Sequence, residues 1–238
     1  MKVWTTDVSA LYVGATSASK AYLGSIEVFS ATPPTPPYPT AWLIGEWLLD
    51  GNTLDTSGFW NDGTPQGITY IAWHGWVQSA VFSGSQYITL PSTSINNLTA
   101  GTISIWAKRW ASWSQYAFVD KLTSGVSNRI QFMLDDLNNV FRFRINDQTL
   151  APYPVDTSTD WIHWVGTFEQ WVGMKMYKNG NLDSQNSTST YLPSSSDTIY
   201  IWCVWGFTAF MVWQLQGLRV YNRALDLTEI GQLYSYGK

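Results

Sequence analysis

The sequence predicts an all-β fold, two antiparallel sheets packed as a sandwich. Three observations carry this expectation. Between residues 41 and 238, more than ten short segments alternate apolar and polar residues with a period of two. Turn-forming clusters of Gly, Pro, Asn, Asp and Ser separate them. Helical periodicity is nearly missing, which disfavours bundles and alternating β-α layers.

The strands follow in order. Val81-Phe82 and Tyr87-Ile88-Thr89-Leu90 come first, then Thr102-Ile103-Ser104-Ile105-Trp106. Ile130 to Leu134, Val140 to Ile145 and Trp161 to Val165 keep the same alternation. Met174-Lys175-Met176-Tyr177 runs into Lys178-Asn179-Gly180-Asn181, a hairpin signal because Asn-Gly accepts positive φ. Thr198 to Ile201 and Leu218 to Tyr221 complete the series. The one helical stretch expected is Asp226 to Tyr234, with Asp226 as cap and Glu229 three residues later.

Ahead of the sandwich, Leu11-Tyr12-Val13-Gly14-Ala15-Thr16 is echoed by Ala21-Tyr22-Leu23-Gly24-Ser25-Ile26. Each copy reads as short strands about a Tyr-x-Gly turn, a hairpin or small meander. Residues 1–31 hold too few apolar side chains to stand alone, so they are expected to pack on a partner chain or on copies of themselves. Five prolines in Thr32 to Pro39 then favour an extended spacer. The expected organisation is a β segment at 1–31, a Pro-rich linker at 32–40 and the sandwich at 41–238.

At 238 residues the chain can bury one large sandwich and a small appendage. Charged residues make up 13%, about half of the roughly 25% usual in soluble domains. Ser, Thr, Asn and Gln supply the missing polarity, a composition common on extracellular and virion surfaces. With net charge −4 and pI near 5.0, no nucleic-acid footprint is expected. Arg142 and Arg144 simply share one face of a strand. Cys203 is the single cysteine, which excludes an internal disulfide and a Cys-rich zinc site. Its apolar flanks mark a buried small hydrophobe. No stretch reaches the ~18 apolar residues of a membrane span. After Met1-Lys2 there is no apolar run of the signal-peptide kind, so a virion or extracellular surface is expected by a route other than ordinary secretion.

A set of motifs spans residues 42 to 236: Trp47-Leu48-Leu49-Asp50-Gly51-Asn52, Asp55-Thr56-Ser57-Gly58, Asn61-Asp62-Gly63, Thr102 to Trp106, Trp161 with His163, and Tyr177 with Asn179-Gly180. The tail adds Leu218, Val220, Tyr221-Asn222-Arg223-Ala224-Leu225, Glu229-Ile230 and Leu233-Tyr234. Together they resemble the LamG-like jelly rolls of the concanavalin A-like lectin/glucanase superfamily. The resemblance implies a jelly-roll sandwich and leaves the ligand open, because that fold hosts lectins, adhesins, hydrolases and structural modules. The N-terminal repeat is in turn similar to short Tyr-x-Gly-rich pieces of phage tail and virion proteins.

Fifteen tryptophans are unusual. Trp42, Trp47, Trp106 and Trp161 fall where the family pattern takes a large apolar group. Trp60, Trp76, Trp202 and Trp213 fall where it takes glycine. Trp73, Trp110, Trp113, Trp171 and Trp205 lie in turn-like contexts. A turn glycine tolerates positive φ, and a residue with a Cβ does not. These tryptophans are exposed aromatics that stack on a ligand, or ordinary packing residues, or the codon UGA, read as glycine in some organisms, has been read as tryptophan.

Candidate chemistry is sparse. A glucanase of the superfamily carries two glutamates in an E-x-D-x-x-E strand, whereas Glu27, Glu46, Glu169 and Glu229 are all far apart. Neighbouring Asp135 and Asp136 point to opposite faces of a strand or lie in a turn. His74 and His163 are the only histidines; His163 sits at the family's Trp-x-His strand position and reads as structural, and His74 has no nucleophile. Calcium suits the densest oxygen cluster, Asp50, Asn52, Asp55, Asn61 and Asp62, near where relatives hold a structural calcium. These residues are equally turn formers and Asx caps, and Gln216 stands where the family often has Asp. Sugar stacking would draw on Trp161, Trp164, Tyr116, Tyr153 and Asn138. The expectation is a non-catalytic phage-type virion or adhesion protein, tail or capsid decoration, that binds surface glycan or a neighbouring virion protein. It would act as a homo-oligomer or within a larger assembly. The alternative is a purely structural virion or fibre subunit that touches only protein.

Overall fold

The computed structural model describes residues 11–13, 16–18, 20–23, 26–30, 36–74, 77–109, 115–121, 129–135, 140–151, 158–201 and 212–237. The chain divides into two units, Met1–Pro37 and Tyr38–Lys238. In the first, β1 (Leu11–Val13) pairs antiparallel with β2 (Thr16–Ala18), and β3 (Lys20–Leu23) with β4 (Ile26–Ser30). Each copy of the Tyr-x-Gly repeat is therefore one hairpin.

The second unit begins with β5 (Leu43–Trp47), β6 (Thr64–Gln66), β7 (Thr69–His74), β8 (Val77–Ser83) and β9 (Tyr87–Leu90). It continues through β10 (Ala100–Arg109), β11 (Gln115–Lys121), β12 (Ile130–Asp135), β13 (Val140–Ile145) and β14 (Gln148–Leu150). Then come β15 (Trp161–Glu169), β16 (Gly173–Lys178), β17 (Asn181–Asn186), β18 (Ile199–Ile201), β19 (Val212–Tyr221) and α1 (Leu227–Tyr236). One sheet runs β17-β16-β15-β10-β19-β8-β7, with β5 also paired to β19. The other runs β14-β13-β12-β11-β18-β9-β6. This is the antiparallel jelly-roll sandwich that alternation and resemblance predicted.

The core lies between the sheets. Ile103, Ile105 and Ala107 of β10 face Phe132, Leu134, Phe141 and Phe143 of the opposite layer. Phe141 and Trp164 stack with ring centroids 4.2 Å apart. Burying such aromatic pairs contributes about 0.5–1.5 kcal/mol beyond their area. The hairpin turn between β16 and β17 takes φ of 51° at Asn179 and 79° at Gly180, as the Asn-Gly signal requires.

A second apolar cluster covers the outer face of the β10 sheet. Ile230 and Leu233 of α1 pack with Tyr38, Leu43, Val165, Tyr177, Tyr221 and Leu225. The helix starts with a complete capping box, Asp226 accepting from the Glu229 N–H and Glu229 from the Asp226 N–H. It covers one face of a strand whose other face is core, which is why β10 is buried on both sides. Tyr38 sits inside the proline stretch, yet it is buried with the sandwich. Its hydroxyl donates to Glu46 Oε1 at 2.7 Å, and the Pro39 carbonyl accepts from Tyr221. Tyr38 and Pro39, which fall in the linker expected at 32–40, are therefore hydrogen-bonded to the sandwich.

Candidate functional site

The outer face of the β11 sheet carries one continuous polar row. Asp120 on β11 pairs with Gln131 on β12, Gln131 with Arg144 on β13, and Arg144 with Thr149 on β14. On its other side Asp120 pairs with Tyr200 on β18, Tyr200 with Thr89 on β9, and Thr89 with Thr64 on β6. Their strand neighbours Ile130, Phe132, Phe143, Ile145, Ile199, Ile201, Ile88 and Leu90 belong to the core. Alternation therefore turns the row to the opposite face. Seven strands at about 4.8 Å spacing make it roughly 29 Å long.

From Asp120 to Thr149 the row is hydrogen-bonded together. Arg144 Nε donates to Thr149 Oγ1 at 2.8 Å and its Nη1 to Gln131 Oε1 at 3.3 Å. Gln131 in turn hydrogen-bonds the Asp120 carboxyl. Tyr87, two residues before Thr89 on the same face, meets Tyr200 edge-on with centroids 5.9 Å apart. Exposure grades along the row: Thr64 is open, Tyr87, Thr89, Tyr200, Arg144 and Thr149 are half-buried, and Asp120 and Gln131 are buried. Asp120 Oδ1 is buried and has no hydrogen-bond partner among the described residues. Such orphaned acceptors are rare and call for a reason.

Electrostatics set the floor of this row. Burial pushes the Asp120 carboxyl up to about 7, against the downward pull of Arg129, Gln131 and Arg144. Arg144 is lowered, first by burial and then by Arg129 and Arg142. Half-buried donors, acceptors and two tyrosine rings on one face suit a polar ligand that also offers apolar surface.

Elsewhere the polar groups have structural duties. Ser104 Oγ lies 2.8 Å from His163 Nε2, a nucleophile-base distance. Both are buried, and His163 shares a three-ring cluster with Trp106 and Tyr234. Among the described residues its Nδ1 has no hydrogen-bond partner, so none of them supplies the third member that such catalysis uses. Burial first, and then Arg219, hold His163 down to about 3. Glu46 pairs with Arg219 on β19, Glu169 ends β15 and Glu229 caps α1. A shallow cleft lined by Thr167, Glu169, Lys175, Tyr177 and Ala224 has no comparable buried orphan.

Of the residues that sequence reasoning proposed for sugar stacking, Trp161 and Trp164 are described with their side chains. Trp164 is buried on Phe141 in the core, because both faces of β15 are covered and alternation there does not mark the outside. Trp161 is half-buried at the start of β15, opposite Lys108. Tyr116 lies on β11, opposite Leu134, with its side chain outside the description. Asn138 and Tyr153 lie outside the described residues, as do Asp136 and Cys203. Sequence reasoning missed Asp120, Gln131, Tyr87 and Tyr200. The shared face of Arg142 and Arg144 was its one signal.

The proposed calcium residues do come together, but as a hydrogen-bonded loop. Asp55 Oδ1 accepts the N–H groups of Glu46 and Ser57, each at 3.0 Å, and Oδ2 accepts that of Asn61 at 2.9 Å. Asp62 Oδ1 accepts the Asp55 N–H at 2.8 Å, and Asp50 Oδ1 that of Gln78 at 2.6 Å. Asn52 caps Leu54. Burial raises the Asp55 carboxyl, and the Ser57 hydroxyl, followed by the N–H groups of Glu46, Asn61 and Ser57, more than reverses this and holds it low. Among the described residues no three His, Cys, Asp or Glu side chains converge. A donor set already directed at backbone N–H groups does not fit a hard cation, which needs several free oxygens.

Comparisons place this architecture. No curated protein matches the chain by sequence. Among solved structures it is similar to the binding domain of Paraclostridial Mosquitocidal Protein 1, with TM-score 0.68 and 17% identity over 83% of this chain and 53% of that one. It is similar to domain 4 of AbnA, a GH43 extracellular arabinanase from Geobacillus stearothermophilus, in complex with arabinotriose. There the TM-score is 0.67 at 16% identity, over 81% of this chain and 98% of that one. The binding domain of Botulinum Neurotoxin DC in complex with SialylT gives 0.66 at 17%, over 84% and 52%. The chain spans about half the length of both toxin domains, and at such identity the likeness is one of fold. The sequence pattern of the Laminin_G_3 family matches residues 82–231, more than half of the chain and the stretch from β8 into α1. The chain belongs to this family of the concanavalin A-like lectin/glucanases superfamily.

Proposed function

We propose that this chain is a non-catalytic glycan-binding module whose ligand lies across the strands on the outer face of the β11 sheet. One observation carries the reading: a polar row across seven strands whose centre, Asp120, keeps a buried oxygen without a hydrogen-bond partner among the described residues. A sugar ring would rest on Tyr87 and Tyr200. Its hydroxyls would meet Thr89, Arg144 and Thr149, while Gln131 and Asp120 hold Arg144 from below. A row of roughly 29 Å has room for several sugar units. That the arabinanase domain was captured with arabinotriose, and the neurotoxin domain with SialylT, supports a glycan as the class of ligand.

The two N-terminal hairpins favour an anchoring role for residues 1–31. A two-stranded hairpin is marginal alone, so β1–β2 and β3–β4 need a surface, whether of a virion or another extracellular assembly. Several copies on one particle would turn weak sites into high avidity. Glycan-array binding by the whole chain is the test. Binding that falls at least tenfold in Arg144→Ala and Tyr200→Ala, with unchanged melting temperatures, supports the sheet face. Binding that survives both variants moves the site elsewhere, and no glycan binding at all favours a structural subunit that contacts only protein.

A further inference from the structure

Three of the most exposed large side chains sit on backbone that asks for no side chain at all. Trp42, Trp60 and Trp171 have φ of 68°, 61° and 71° and are 64%, 85% and 82% exposed. The left-handed region is sterically closed to bulky residues and open to glycine. Asparagine, the usual exception, supplies Asn97, Asn146 and Asn179. Leu49 also has positive φ but is fully buried, so core packing offsets its strain. The three tryptophans have no such compensation.

Local hydrogen bonding makes the demand specific. The Leu43 N–H donates to the Thr40 carbonyl at 3.2 Å, and the Val172 N–H to the Glu169 carbonyl at 3.1 Å. Trp42 and Trp171 are thus the third residue of a four-residue turn, with positive φ there only. This is the type II turn, whose third position is taken by glycine. Trp60 differs in context. Its left-handed backbone brings the Asn61 N–H to Asp55 Oδ2 at 2.9 Å, while the Asn61 carbonyl accepts from Trp47 Nε1 at 2.9 Å. A turn in which a Cβ is only a cost secures the Asp55 loop.

We infer that positions 42, 60 and 171 carry glycine in the native protein, the tryptophans there arising from UGA codons read as tryptophan instead of glycine. Trp42 is thereby moved from the large apolar positions to the turn positions. Trp47 and Trp106 stay tryptophan on this reasoning, since both fill the molecule's interior. Trp213 lies within β19, buried against Phe118, and its backbone makes no demand for glycine. Trp76, Trp110, Trp113, Trp202 and Trp205 lie outside the described residues, and Trp73 is described in its backbone alone. Aromatic platforms in the turns at 42, 60 and 171 then drop out as ligand contacts, independently of the sheet-face reading.

Two measurements decide it. Peptide mass spectrometry of the protein isolated from its own source should show glycine at 42, 60 and 171; tryptophan at any of them overturns the inference for that position. In recombinant full chain, Trp→Gly and Trp→Ala are compared at each site. Both delete the indole, and only glycine is relaxed at positive φ. The glycine variant should melt roughly 2–4 °C above the alanine variant. Alanine equal to or above glycine means that the backbone does not require glycine there.

Discussion

Arg219 Nε donates to Glu46 Oε1 at 2.8 Å, joining two buried residues that lie 173 positions apart in the chain. The pair ties β5 to β19, whose register sets Arg219 opposite Glu46. Thr56 Oγ1 donates to the other Glu46 oxygen at 2.7 Å, and the guanidinium lies 4.2 Å from the Tyr38 ring centroid. Removing one partner leaves a buried charge uncompensated. Glu46→Gln or Arg219→Met should each cost about 3–5 kcal/mol, and the double variant less than the two together. Denaturant unfolding of the four proteins measures this; additive losses would show that the two side chains are not coupled.

Tyr38 supplies the lid of that pair. Its pKa rises to about 12, first from burial and then from the bond to Glu46, against the pull of Arg219. Tyr38→Phe keeps the ring over Arg219 and removes one hydrogen bond, so it should cost about 1 kcal/mol. Tyr38→Ala also opens a cavity beside Tyr236, whose ring lies 4.6 Å away, and should cost about 3–5 kcal/mol. If Tyr38→Ala melts with the wild type, the residue belongs to the spacer after all.

The Asp55 loop separates a hydrogen-bonded carboxylate from a cation site. Asp55→Ala orphans the N–H groups of Glu46, Ser57 and Asn61 and should cost roughly 3 kcal/mol. Chelator or added calcium should leave the melting temperature unchanged. A calcium-dependent rise would follow from binding to the folded state and would show that these oxygens rearrange around the ion.

What could be read in advance follows from range. Alternation, the Asn179-Gly180 turn and the Asp226–Glu229 capping box are local, and each forms as its residues suggest. The polar row is not local. Asp120 meets Gln131 and Tyr200 only through strand register, and a bulge between Ala117 and Val119 resets the alternation of β11. Phe118 and Val119 are both buried as a result, and Lys121 turns its Nζ to the Ser92 and Ile95 carbonyls. Trp164 misled for a related reason: with α1 outside and Phe141 inside, β15 is buried on both faces from Ile162 to Phe168, and period two says nothing about which is which.

Asp120 and His163 bend stability with pH in opposite directions. The Asp120 carboxyl titrates near 7 in the fold against its ordinary 3.8. Between those values the folded state keeps a proton that the unfolded chain has released, so stability falls as pH rises through the window. His163 titrates near 3 against 6.5. Below 6.5 the unfolded chain takes a proton that the buried imidazole refuses, so stability falls as pH drops. Each slope is at most about 1.4 kcal/mol per pH unit, and between roughly pH 4 and 6.5 they partly cancel. Asp120→Asn should therefore gain on the wild type as pH rises from 4 to 8 and expose the loss toward acid. His163→Gln should do the reverse, flattening the acid side and leaving the decline toward pH 7. Urea unfolding at unit pH steps gives all three curves. Parallel curves for Asp120→Asn and wild type would mean that the carboxyl at the centre of the row is ionised in the native state, and a ligand would then meet it as a charge.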